Sequence, residues 1–152
     1  MNNEKLTQQS SKGIYLAIIL FLHMVIGVNL LQAQEPSSFQ WKNRLVLILV
    51  NDLSEEVYIK QLAELNAHKK GLEERKLIVY HIQPHRYTVG LAGQSWQHSK
   101  RLYKKYKKTK ATFEIILVGL DGGNKLHRIK FLGCKELFNT IDAMPMRRLE
   151  KH

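Results

Sequence analysis

Leu45-Val46-Leu47-Ile48-Leu49-Val50 is an unbroken run of β-formers. No polar residue interrupts it, so the pattern is that of a central strand buried on both faces. Asp52 and Glu55 then stand at capping-box spacing, and Glu55 with Glu56 favours a helix N-terminus there. Tyr58, Leu62 and Leu65 recur at helical spacing, which predicts a helix to about His68, ended by Lys69, Lys70 and Gly71. Lys76 to Ile82 reads as a second strand. Gln83 to Gln94, with Pro84, Gly90 and Gly93, reads as a loop. Ser95 to about Lys108 is expected to be a basic helix with Trp96, Tyr103 and Tyr106 on its apolar side. Phe113 to Val118 is a third strand, and Asp121-Gly122-Gly123 is a hairpin signal. Lys125 to Phe131 returns as an edge strand, with Leu126, Ile129 and Phe131 packed and Lys125, Arg128 and Lys130 in water. A last helix is expected over Lys135 to Ala143, with Leu137, Phe138 and Ile141 inward and Pro145 as its stop. The order is β-α-β-α-β-β-α.

The N-terminal region follows a different pattern. Residues 1–12 are polar, and Gly13 to Leu31 is almost continuously apolar. Leu31-Gln32-Ala33 offers a small residue where a signal peptidase cuts, so residues 1–33 read as a signal peptide cleaved before Gln34. The alternative is retention of residues 13–31 as a membrane anchor, weakened by His23 and Asn29. Either way the positive residues precede the apolar run, and the domain is expected outside the cytoplasm, periplasmic or extracellular. Residues 34–38 read as a linker and 39–152 as a single domain.

The chain of 152 residues carries a net charge of +11. Residues 1–33 hold Lys5 and Lys12 against Glu4, which leaves +10 on the rest. Such a domain favours anionic partners, although excess charge also serves solubility alone. Cys134 is the one cysteine, so no internal disulfide supports an exported fold.

Three segments carry a resemblance: Trp41-Lys42-Asn43-Arg44, Leu117-Val118-Gly119-Leu120-Asp121-Gly122-Gly123 and Ile141-Asp142-Ala143-Met144-Pro145-Met146-Arg147-Arg148-Leu149-Glu150. Over about Phe39 to Glu150 the chain resembles an uncharacterised thioredoxin-like domain family, also found near the C-terminus of sushi-repeat-containing secreted proteins. The resemblance implies an α/β thioredoxin-like fold and an extracytoplasmic setting. It implies no reaction. The chain has Leu120 where the family tends to have lysine.

Redox enzymes of this fold keep a nucleophilic cysteine at the turn after the first strand, where the helix N-terminus stabilises thiolate. Here that turn is Asn51-Asp52-Leu53-Ser54-Glu55-Glu56, with no cysteine and an excess of acids. The proline that such enzymes carry before the third strand is missing from Lys110-Ala111-Thr112. Both departures argue against dithiol exchange and peroxidase activity. The remaining redox candidate is Cys134, at the start of the last helix beside Lys135. Its competing reading is a small apolar residue next to Phe131 and Leu137. No metal site is assigned: His81 and His85 have helical spacing, but His81 lies in a strand, Pro84 intervenes, and both read as surface histidines. No cofactor is expected either, because Asp121-Gly122-Gly123 lacks the context of a phosphate loop.

The cationic cluster is Lys100, Arg101, Lys104, Lys105, Lys107, Lys108 and Lys110, seven of eleven residues. Like charges this close destabilise a helix, so a polyanion would relieve a repulsion. Export argues against nucleic acid and for anionic polysaccharide or a lipid surface. A solvated face is the competing reading. Asp142, Arg147 and Arg148 are the second candidate group. They form either an anion or protein-partner site, or an ionic clasp in which the arginines pair with Asp142 and Glu150. The sequence reading is therefore a non-catalytic binding or envelope-accessory module, with a thiol-dependent reductase or peroxidase using Cys134 as its rival.

Overall fold

The computed structural model describes residues 36–92 and 95–150. The expected signal or anchor segment lies outside the described residues. Among them no helix is long and apolar enough to cross a membrane. Part of the expected linker belongs to the fold: Pro36–Phe39 forms one 3-10 turn with Pro36 buried.

Six strands make one mixed sheet: β1 Arg44–Val50, β2 Leu77–Ile82, β3 Arg86–Val89, β4 Gln97–His98, β5 Phe113–Val118 and β6 Asn124–Arg128. Their spatial order is β4-β3-β2-β1-β5-β6. β1 pairs parallel with β2 and antiparallel with β5. The helices are α1 Glu56–Ala67, α2 Lys69–Glu74, α3 Lys100–Tyr106, α4 Cys134–Asp142 and α5 Pro145–Leu149.

Every residue of β1 is buried, as its unbroken apolar run requires. Alternate residues feed two cores. Val46, Ile48 and Val50 join Val79, Ile115 and Leu117 beneath Leu65 of α1, Leu72 of α2 and Leu137 and Ile141 of α4. Leu45, Leu47 and Leu49 join Tyr80, Ile82, Ile116 and Val118 beneath Leu102 of α3. Helices therefore cover both faces of a sheet built around β1, the layering of an α/β fold.

Several boundaries differ from the sequence reading. Lys69, Lys70 and Gly71 do not end the first helix but lie in α2, which starts after a break at His68. Gly71 is needed for close approach, since a Cβ there would meet the Phe138 ring at 2.7 Å. Lys76, at φ 51°, is the left-handed residue that leads from α2 into β2. The expected loop after β2 contains β3, whose Tyr87-Thr88 pair with Ile82 and His81. Tyr-Thr-Val are β-formers, but a four-residue run between Pro84 and Gly90 gives too short an alternation to read. The basic helix is only seven residues long, because Gln97 and His98 pair with β3 instead. Trp96 is thus outside it, stacked 4.6 Å from the Arg86 guanidinium. β6 stops at Arg128 and leaves Ile129 56% exposed rather than packed. Pro145 ends nothing. It opens α5 at the first helical turn, where its missing N–H costs no hydrogen bond. The hairpin at Asp121-Gly122-Gly123 forms as expected, with Gly122 at φ 79° and the Gly119 N–H donating to the Gly123 carbonyl at 2.9 Å.

Candidate functional site

The turn between β1 and α1 is the natural place to look for chemistry. It is closed by hydrogen bonds instead. The Asn51 N–H donates to the Thr112 carbonyl at 3.0 Å. Gln83 Nε2 donates to the Asn51 carbonyl at 3.0 Å, and the Tyr103 hydroxyl donates to Asn51 Oδ1 at 2.6 Å. The Thr112 hydroxyl donates to Glu55 Oε2 at 2.8 Å. The expected capping box forms only in part. Glu55 Oε1 accepts from the Asp52 N–H at 3.4 Å, whereas Asp52 Oδ1 takes the Ser54 N–H at 2.9 Å in a local turn. Those bonds from Ser54 hold the Asp52 carboxyl below its usual range. An ionised carboxylate thus sits where a thiolate would have to form, and no peptide bond among the described residues is cis.

The basic segment divides in two. Lys100, Arg101, Lys104, Lys105, Lys108 and Lys110 are exposed. Lys107 is not an outward cation. It turns in to the Ala111 carbonyl and to Glu114, with its Nζ 3.2 Å from Glu114 Oε1. Glu114 lies on β5 with its side chain wholly buried. It accepts from the Thr109 N–H and hydroxyl, both at 2.9 Å, and from the Lys108 N–H at 3.1 Å. His127 Nε2 is 2.8 Å away on the other side. Burial alone would push this carboxyl up, but the bonds from Thr109, Lys108 and Lys107 outweigh it and hold the group at about 2. Glu114 therefore closes the chain from Lys107 to β5 and sets Lys108 and Lys110 on the outside. On the helix itself Leu102, which the sequence reading passed over, is the buried anchor, with Tyr103 and Tyr106 half-buried beside it.

The three segments that carry the family resemblance meet at the other end of β1. Arg44 is 1% exposed, and its two terminal nitrogens each lie 3.2 Å from a Glu150 carboxylate oxygen. Arg147 Nη1 reaches Glu150 Oε2 at 3.1 Å, and its Nε reaches Asp142 Oδ1 at 3.4 Å. Arg75 holds Asp142 through two bonds of 3.2 and 2.7 Å. Arg147 is thus a member of an ionic clasp that ties α5 to β1 and α2, while Arg148 is exposed. Beside the clasp, Arg44, Leu120, Lys125, Met144, Pro145 and Met146 line a largely apolar cleft of about 340 Å³.

Cys134 is the first residue of α4 and is fully buried. Burial pushes its thiol up, the Glu64 carboxylate pushes it further, and the group reaches about 12. Burial and Glu64 thus outweigh the pull toward thiolate that a helix N-terminus and the neighbouring Lys135 would exert. Glu64 of α1 and His68, the residue that caps α1, stand next to Cys134, with donor atoms of all three within 4.8 Å of one another. Among the described residues this is the group of potential metal ligands that the sequence reading missed. The Glu64–His68 spacing was visible there, but Cys134 reaches it only through the fold.

His81 is not a surface residue. It is 1% exposed, with Nδ1 3.1 Å from the Tyr58 hydroxyl and Nε2 2.9 Å from the Gly90 carbonyl. Burial lowers its pKa against the Gly90 bond, so it is a neutral core imidazole that donates from Nε2 and accepts from Tyr58. His85 is exposed, and the two form no pair.

The mixed sheet, with helices on both faces and a strand–turn–helix opening, defines a thioredoxin-like α/β domain. A reduced 2-Cys peroxiredoxin from Plasmodium vivax, known from its crystal structure, shares this fold. Its TM-score is 0.52 at 14% identity, over 77% of this chain and 85% of that one. The chain belongs to the family described as domain of unknown function DUF4174, whose model matches residues 35–150. A comparison with curated proteins finds no match.

Proposed function

We propose that this domain is an exported, non-catalytic binding module that meets anionic polysaccharide or a lipid surface through α3 and the residues just after it. The observation that carries the reading is the turn after β1, which has no cysteine and is occupied by Asn51, Asp52, Glu55, Thr112 and Tyr103 bonded to one another. With that turn closed by its own hydrogen bonds, the reading passes to the surface, whose strongest feature is cationic. Lys100, Arg101, Lys104, Lys105, Lys108 and Lys110 are exposed within eleven residues, supported from behind by Leu102 and Glu114. Their mutual repulsion falls when a polyanion neutralises them.

The rival reading, a thiol-dependent reductase or peroxidase using Cys134, draws on the fold shared with a peroxiredoxin. A buried thiol held at about 12 is a poor nucleophile, so the rival is the weaker of the two.

The test is retention of residues 34–152 on a heparin-like matrix across a salt series, beside a plain cation exchanger. The comparison protein has Lys100, Lys104, Lys105 and Lys108 changed to glutamate. Lys107 stays, because it supports Glu114. Selective retention that salt weakens steeply and the variant loses is the expected result, since the screening length shrinks from about 10 Å at 0.1 M to about 3 Å at 1 M. Retention no better than cation exchange sinks the polyanion reading. It would turn attention to a protein partner at the cleft beside Met144 and Met146.

A further inference from the structure

The group where α4 begins against the end of α1 carries an inference independent of the basic surface. Glu64 lies in the last turn of α1 and His68 is the residue that caps it, four positions on, a spacing that lets two side chains share one ion. Glu64 Oε1 stands 3.7 Å from His68 Nδ1. Tetrahedral zinc, with bonds of about 2.0–2.3 Å, keeps its donors roughly 3.3–3.6 Å apart, so this pair needs only a few tenths of an ångström of adjustment. The third donor arrives from a distant part of the chain. Cys134 Sγ lies 3.7 Å from the Glu64 carbonyl, and the Cys134 N–H donates to Glu64 Oε1 at 2.8 Å, which orients the carboxylate. All three donor atoms lie within 4.8 Å of one another.

The environment has the layout of a bound ion's surroundings. The sulfur is buried, while the Glu64 and His68 side chains are 26% and 46% exposed, which leaves a route in from solvent. A carboxylate beside a buried thiol raises the thiol's pKa, and a dication placed between them removes that conflict by attracting both. The His68 ring is held edge-on by Phe138, with centroids 6.2 Å apart. Binding through Nδ1 exchanges its 2.9 Å contact with the Glu64 carbonyl for a coordinate bond.

From this geometry we infer that Glu64, His68 and Cys134 form a three-ligand site for a thiophilic divalent metal ion of the zinc type, with the fourth position open to solvent. On binding, the Cys134 S–H bond breaks, its proton passes to solvent, and the sulfur pair forms the metal–sulfur bond. No electrons are transferred. The donor set of one thiolate, one imidazole and one carboxylate favours zinc or cobalt over magnesium or calcium.

The experiment is titration of the full, untagged, chelator-stripped chain with Co²⁺ as spectroscopic probe and Zn²⁺ in calorimetry. The expected result is one equivalent bound, a near-ultraviolet sulfur-to-cobalt charge-transfer band, and no such band in Cys134→Ser. His68→Ala and Glu64→Gln should each weaken Zn²⁺ binding by more than about a hundredfold, beyond the 10–100-fold that loss of an outer-shell partner costs. A cobalt spectrum without the charge-transfer band overturns the inference, as does unchanged Zn²⁺ affinity in His68→Ala. His68 is exposed, so its variant keeps the fold and decides the matter even where Cys134→Ser fails to fold. In Glu64→Gln the amide oxygen still accepts from the Cys134 N–H, which separates loss of a ligand from loss of structure.

Discussion

Glu114 offers a stability test whose size and pH window both follow from its contacts. Its carboxyl stands at about 2 in the folded protein against 4.5 for an ordinary glutamate. Each pKa unit is worth about 1.4 kcal/mol, so the ionised form contributes about 3 kcal/mol at neutral pH. The sign follows from the depressed folded pKa. The contribution is complete above the unfolded value and is lost as pH falls from there towards about 2. At pH ~3 the same linkage leaves roughly 1.4 kcal/mol, a loss of about 2. Glu114→Gln removes the charge and puts an amide donor among the Thr109, Lys108 and Lys107 donors. The variant should be less stable at pH ~7 by about 3 kcal/mol, within the range for breaking a buried ion pair. Urea unfolding of both proteins at steps from pH ~7 to pH ~3 gives the answer as a difference, in which other carboxylates cancel. The gap should narrow by about 2 kcal/mol across that interval. A gap constant to within about 0.5 kcal/mol would refute the reasoning, because it would mean that Glu114 contributes by shape and not by charge.

Two further outcomes follow from other sites. Glu150→Gln leaves the Arg44 guanidinium without its carboxylate and should lower stability by about 3 kcal/mol, whereas Arg148→Ala should change it by less than about 0.5 in the same urea titration. In chelator, Cys134 should resist a thiol reagent in the native protein and react freely in denaturant, and wild type and Cys134→Ser should consume peroxide at the same negligible rate. Peroxide consumption that disappears in Cys134→Ser would restore the thiol enzyme.

What the sequence disclosed and what it hid divide by range. The central strand was readable because burial on both faces writes itself into six consecutive apolar residues, Leu45 to Val50. The Gly122 turn was readable because a positive φ selects glycine at one position. His81 was misread because nothing nearby in sequence announces Tyr58 and the Gly90 carbonyl, its two partners in the core. Lys107 looked like its neighbours Lys105 and Lys108, and only Glu114, seven residues on and across a bend, separates it from them. The clasp was half visible. Arg147, Asp142 and Glu150 lie within one stretch, but Arg44 and Arg75 join them from 106 and 67 residues away. Cys134 read as a lone thiol because Glu64 lies 70 residues distant.

The same division bears on what the domain does. The thioredoxin type of thiol chemistry uses a cysteine in one local place, the turn after β1, so its absence from that turn is legible in the sequence itself. The two proposed sites are collective. In the proposed polyanion contact the exposed cations of α3 and the residues after it would act as a set, positioned by Leu102 beneath and Glu114 behind, so exchanging Lys107 for glutamate would unbalance the Glu114 core as well as the surface. The Glu64–His68–Cys134 group exists only because α4 begins against α1. The two make separable demands on experiment. Salt should weaken a polyanion contact and leave metal affinity nearly unchanged, because screening acts on exposed charges at a distance and not on donors within bonding reach. A chelator should do the reverse. Heparin retention that survives chelation, together with zinc binding that survives high salt, would identify two independent functions on one fold. Retention lost on chelation would mean that the metal orders the surface that binds.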